Sequence, residues 1–191
     1  MKIIYTIALS FVLLLSGCVN LKPKPDRTQI FTLASNVAAV AEVAGKPQCY
    51  VSRVELPGYL EGHRIYYRSG NGELSSVSGS RWAESPRVAL PSAIAMHLQA
   101  TGKVHVRAYY PWQNTASEGA TISLQFERFS ANAAGEVEVI AQWQITSADG
   151  SQREGRFIAP KRVWDRQDAA DYVAQLDAAL SSLAEVLAQE L

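Results

Sequence analysis

Few side chains in these 191 residues could ligate a metal, attack a carbonyl or carry a proton near neutral pH. The histidines are His63, His97 and His105, and the cysteines are Cys18 and Cys49. None has the close spacing that metal sites use, so no metal ligand is expected, although spacing alone leaves a cluster in space open. Each histidine is read as an ordinary surface or core side chain; His105, between Val104 and Val106, should face away from both. Cys49 sits in a strand-like run and is read as a small buried hydrophobe, with pairing between chains as the alternative. Glu136 and Glu138 lie two apart on one strand face and could form a paired acid site, but a solvated sheet face is the plainer reading. No nucleophile elbow, Walker loop or dinucleotide fingerprint is present. Tyr109-Tyr110-Pro111-Trp112 is an aromatic cluster that serves either as a core rim or as a contact surface for lipid or protein. No catalytic residue and no cofactor is expected, and the chain is read as non-enzymatic.

Cys18 differs from these residues because of what precedes it. Lys2 gives a positive start, and Ile3 to Leu15 is an almost unbroken apolar run. Such a run falls short of the ~20 residues that span a bilayer core, and matches the apolar region of a signal peptide. It ends in Leu15-Ser16-Gly17-Cys18. This resembles a bacterial lipobox, which implies a diacylglyceryl thioether on the Cys18 sulfur, cleavage before Cys18 and acylation of the new amine. An ordinary secreted protein with a chance cysteine is the alternative. Each buried CH₂ contributes about 0.8 kcal/mol, so a few acyl chains would hold the protein to a membrane almost irreversibly. Val19 and Asn20 follow, with no Asp beside the cysteine, and by the sorting rule of enteric-type bacteria this favours the outer membrane. Three segments follow: residues 1–17 as a lipoprotein signal peptide, 18–27 as the lipidated cysteine and an extended tether with Pro23 and Pro25, and 28–191 as one domain.

Removing residues 1–17 takes one basic residue and no acid, leaving 17 basic and 18 acidic side chains, a net charge of −1. A near-neutral chain has no global field to attract nucleic acid. With 48% hydrophobic and 19% charged residues, a disordered or fibrous protein is excluded. Two cysteines, one of them at the signal junction, exclude a disulfide framework.

The domain reads as strands at 29–33, 49–54, 64–68 and 73–77, with Gly70-Asn71-Gly72 as a hairpin turn. Residues 35–45 read as a loop, with a short helix as the alternative. Ser85-Pro86 is a cap followed by proline at a first helical position, and Leu90, Ile94 and Leu98 make one apolar face of a helix ending at Gly102. Pro91 should disturb its first turn. Strands follow at 104–110, 121–129, 137–145 and 153–158, the last three as a meander. A final helix is capped by Asp168 and carries the stripe Tyr172, Leu176, Leu180, Leu183, Leu187 and Leu191. This order predicts a single α/β (α+β) domain, with a mostly antiparallel or mixed sheet and two main helices on one face.

Val54-Glu55-Leu56-Pro57-Gly58-Tyr59-Leu60, a strand pair, and Arg81-Trp82-Ala83-Glu84 before a helix occur here in that order. The arrangement resembles the ABC-type transport auxiliary lipoproteins, the PqiC/YmbA-like family. Two departures stand out: Ile30-Phe31-Thr32-Leu33 replaces a Tyr-Tyr-x-Leu strand, and Pro91 lies inside the first helix. The resemblance implies a fold like the N-terminal domain of TolB. It implies an outer-membrane lipoprotein, facing the periplasm, that forms a homo-oligomeric ring. Its partners would be an MCE-domain protein and inner-membrane transporter subunits, in lipid transport that supports envelope integrity, with phospholipid contact open. An independent lipid-binding carrier with a closed apolar cavity is the alternative. In the family reading Trp82 wedges between hairpin and helix and Tyr59 packs the turn after Pro57; the other reading turns both toward a lipid or partner.

Overall fold

The structure, a computed structural model, describes residues 25–38, 45–112, 119–166 and 168–191. The signal segment, Cys18 and most of the tether lie outside the described residues, as do 39–44 of the expected loop.

Nine strands among the described residues form one mixed sheet. They are β1 (Gln29–Phe31), β2 (Gln48–Glu55), β3 (Arg64–Arg68), β4 (Leu74–Trp82), β5 (His105–Tyr109), β6 (Ala120–Ala131), β7 (Glu136–Thr146), β8 (Gln152–Ile158) and β9 (Arg162–Val163). Two helices, α1 (Pro86–Ala100) and α2 (Ala169–Glu190), complete the domain. The long strand β6 is the hub. Along one edge it pairs antiparallel with β7, from Thr121↔Thr146 to Ala131↔Val137. Along the other it takes β2 in parallel over Ala120–Gln125 and meets β3 in parallel at Ala131. The register shifts once within the β2–β6 pairing, between Val51 and Val54, and once in the β6–β7 pairing, between Phe126 and Arg128. A bulge adds local twist and lets one strand serve two neighbours. The expected β6–β7–β8 meander is present, and β5 adds to β2 in parallel.

Two strand boundaries differ from expectation. β4 runs on to Trp82, so Arg81 and Trp82 belong to the sheet and pair with Ile30 and Phe31 of β1. Gly79, at φ 65°, absorbs the irregularity that makes Ser78-Gly79-Ser80 look like a break in sequence. β9 was not expected, because two residues carry no alternation to read. The hairpin turn between β3 and β4 holds: Asn71 and Gly72 have φ of 64° and 78°, the left-handed pair that a tight hairpin needs.

The helices cover one sheet face, α1 over β2 and β5, and α2 over β7, β8 and α1. α1 runs unbroken through the buried Pro91, whose neighbours in the core hold it in place of the missing backbone bond. Ser85 occupies the cap position but donates and accepts no side-chain cap bond; its carbonyl accepts from Val88 and Ala89 instead. In α2, Tyr172, Leu176, Leu180, Leu183 and Leu187 are all fully buried, as the stripe predicts, and Leu191 is half-buried. Asp168 Oδ1 accepts from Ala170 N at 2.8 Å, so the expected cap is made. Asp168→Ala should lower stability by about 1 kcal/mol, read as a lower urea midpoint at unchanged slope.

Trp143 of β7 lies opposite Gly155 of β8 and is 8% exposed. Its indole fills the space where a side chain at 155 would stand: a Cβ there would meet Trp143 Cζ2 at 2.4 Å. The other sheet face is polar, with Ser52 donating to Ser123, Gln142 to Glu127 and Gln144 to Gln152.

Candidate functional site

Among the described residues, His63 and His97 are tied to structural partners. His63 Nδ1 lies 3.3 Å from the Trp82 carbonyl oxygen. His97 is buried on α1, its Nε2 3.1 Å from Asp177 Oδ1 of α2. The same oxygen accepts from Ala34 N at 2.8 Å. His105 lies on the edge strand β5. No group of His, Cys, Asp and Glu that could hold a metal occurs among the described residues.

Cys49 is 1% exposed, and burial pushes its thiol up to about 12. This matches the reading of Cys49 as a small buried hydrophobe. At pH 8 its alkylation by iodoacetamide should be about a thousandfold slower than that of a free thiol, and should recover in urea. Mass spectrometry of the intact chain would check this.

Glu136 and Glu138 share a strand face, as expected, and each is engaged. Asn132 Nδ2 donates to Glu136 Oε2 at 3.1 Å and to Glu138 Oε1 at 3.0 Å. Arg68 pairs with Glu138, and Lys161 with Glu136, whose carboxyl is held below its ordinary range mainly by that contact. Two carboxylates with separate cations are stabilised as anions, whereas a paired acid site needs one of them protonated. Nearby on the polar face, Arg156 grips Glu127 through two bonds of 3.0 and 2.8 Å. That grip is the main reason the Glu127 carboxyl falls to about 2.

Trp82, 4% exposed, belongs to the buried core, and its backbone N donates to the His63 carbonyl at 2.7 Å. Tyr59 packs half-buried against the same core. The structure divides the aromatic cluster between its two readings. Tyr109 packs on the core, while Trp112 is 68% exposed. The Trp112 turn is fixed by its backbone: Tyr50 Oη donates to the Trp112 carbonyl at 2.7 Å, and Trp112 N donates to Tyr109 O at 3.0 Å. Beside it an open cleft of ≈ 320 Å³ runs between α1 and the edge of β5, past Met96, Val106 and Tyr109. A second open cleft of ≈ 320 Å³ lies between β7 and β8, lined by Ile140, Ile158 and Lys161. A third, ≈ 580 Å³, is polar and lies over Gln125, Gln142, Gln144 and Arg156. All three are surface clefts, a geometry suited to contact with a partner more than to enclosing a ligand.

The network around Tyr172 leaves no local signature in the residues. This fully buried tyrosine donates to Tyr66 O at 2.8 Å and accepts from Ala131 N at 2.7 Å. Its ring stacks on Trp164 with centroids 4.6 Å apart, and Trp164 meets Tyr67 edge-on at 5.8 Å. Burial raises the Tyr172 hydroxyl well above the usual tyrosine value. The hydroxyl therefore serves as a neutral donor that joins α2 to β3 and β6.

Among the described residues no helix is long and apolar enough to cross a membrane. No curated protein gives a significant sequence match. Two solved structures share the fold. One, an uncharacterized protein, is 16% identical with a TM-score of 0.69, covering 85% of this chain and 97% of its own. The other, XCC0632 from Xanthomonas campestris, of family DUF330, is 20% identical with a TM-score of 0.65, covering 84% and 93%. The sequence profile of the ABC-type transport auxiliary lipoprotein component matches residues 31–188, almost the whole folded domain, and the chain belongs to that family.

Proposed function

We propose that this transport auxiliary lipoprotein is a non-enzymatic, outer-membrane subunit of an MCE-type system that moves lipid between the two envelope membranes. The family match across residues 31–188 carries the proposal. The lipobox ending at Cys18 adds the anchor, and the tether at 19–27 gives the domain room to reach a partner in the periplasm. Nine residues of tether extend at most ~30 Å. In this role the domain makes and breaks no bond. It docks on an MCE-domain protein, in several copies arranged as a ring, and its open clefts offer surfaces for that contact. An independent lipid carrier would instead enclose its cargo in a closed apolar cavity.

Native mass spectrometry of the full-length protein, gently extracted from its own envelope, tests the proposal. The expected result is a homo-oligomer carrying acyl groups on Cys18 and an MCE-family protein. A lone monomer holding a tightly bound phospholipid would overturn it and favour the carrier.

A further inference from the structure

We propose that residues 29–36 form a releasable strap, latched to the helix pair by a single oxygen of Asp177. β1 pairs with β4 alone, through three residues at the edge of the sheet. Ile30 in it is 55% exposed. After Phe31, whose carbonyl accepts from Ala83 N at 2.8 Å, the chain turns and buries Leu33 and Ala34. Ala34 has φ 54°, a left-handed conformation unfavourable for a residue with a Cβ. Contacts must hold it there. The contact that does so is the bond from Ala34 N to Asp177 Oδ1, at 2.8 Å. His97 Nε2 lies 3.1 Å from the same oxygen. One carboxylate oxygen thus ties the strap to α2 and, through His97, to α1.

Beside the latch the packing is loose. A cleft of ≈ 310 Å³ lies between Ile30 and Phe31 of the strap and Ala170, Val173 and Ala174 of α2. The strap is therefore closed by a short strand pairing, the packing of Phe31, Leu33 and Ala34, the backbone bonds from Ala83 N to Phe31 O and Val37 N to Ala34 O, and the Asp177 bond. Segments with so few contacts open separately from the core. The strap directly follows residues 18–27. A pull on a membrane tether would load the β1–β4 pairing first and the Asp177 latch next. That consequence rests on the anchoring proposed above; the latch itself does not.

Hydrogen exchange of the full-length acylated chain in detergent micelles, resolved by peptide, tests the proposal. In the unmodified sequence, 30–36 should exchange well before β6 and β7. In Asp177→Ala it should exchange about tenfold faster or more, with β6 and β7 unchanged, as expected for loss of a local bond. Exchange of 30–36 in step with β6 and β7 in the unmodified sequence would overturn the strap, without requiring the variant to fold. An unchanged 30–36 in Asp177→Ala, or equal acceleration everywhere, would overturn the latch. A Cys18→Ser chain should show the same strap exchange. The absence of acyl mass on Cys18 in the unmodified protein would count against the anchor alone.

Discussion

Tyr172→Phe should destabilise the domain by about 2–4 kcal/mol, far more than loss of one surface hydroxyl. The phenyl ring keeps the stack on Trp164, so packing changes little. What is lost is a hydroxyl that satisfies two backbone groups, the buried Ala131 amide and the part-buried Tyr66 carbonyl. Each orphaned group costs about 1–3 kcal/mol, because the site excludes the water that would replace the partner. The loss should appear as a lower urea midpoint and a melting temperature reduced by roughly 5–15 °C. A change under 1 kcal/mol would mean that solvent reaches this corner and that the hydroxyl does not join α2 to the sheet.

Gly155→Ala is the second large effect, and it runs against ordinary strand preference. Alanine usually improves a strand position held by glycine. Here the new Cβ would stand 2.4 Å from Trp143 Cζ2 and 2.7 Å from Cε2. An indole 8% exposed in a packed core cannot move aside without displacing its neighbours. We expect a loss of about 1–3 kcal/mol from overpacking. In a Trp143→Phe background the smaller ring leaves room, and the same substitution should cost much less. A double-mutant cycle on unfolding free energies would show coupling of about 1 kcal/mol or more. Additive losses would place the strain elsewhere.

What could be read from the residues follows the range of the forces involved. The stripe on α2 repeats every three or four residues, so its burial was legible from spacing alone. The β6–β7–β8 meander was legible for the same reason, since alternation and turns are local signals. The parallel pairing of β2 with β6 was not. It joins side chains such as Ser52 and Ser123, 71 residues apart, and nothing local records the partner. Tyr172 was placed correctly in the core but read as a hydrophobe, because its hydroxyl partners come from β3 and β6. Asp177 carried no signal either: an acid beside an apolar helix stripe looks solvent-facing until Ala34 and His97 are placed against it. The carboxylates Glu136 and Glu138 were put on one face correctly, yet Arg68 and Lys161 come from other strands and connections. The polar side chains were visible in sequence, and their partners were not.

The position of β6 also constrains the order of assembly. A chain threaded through a membrane from its N-terminus delivers β2 and β3 long before β6. Both need β6 as their parallel neighbour. Closing such distant pairings carries a large entropy cost, whereas the meander zips up through short hairpins. The β3–β4 hairpin can close early, but β2 must wait with both edges unpaired until β5 and then β6 emerge. Over that interval unpaired strands are prone to join the wrong neighbours. For a chain exported as proposed above, a holding chaperone would thus matter most for the stretch that appears first.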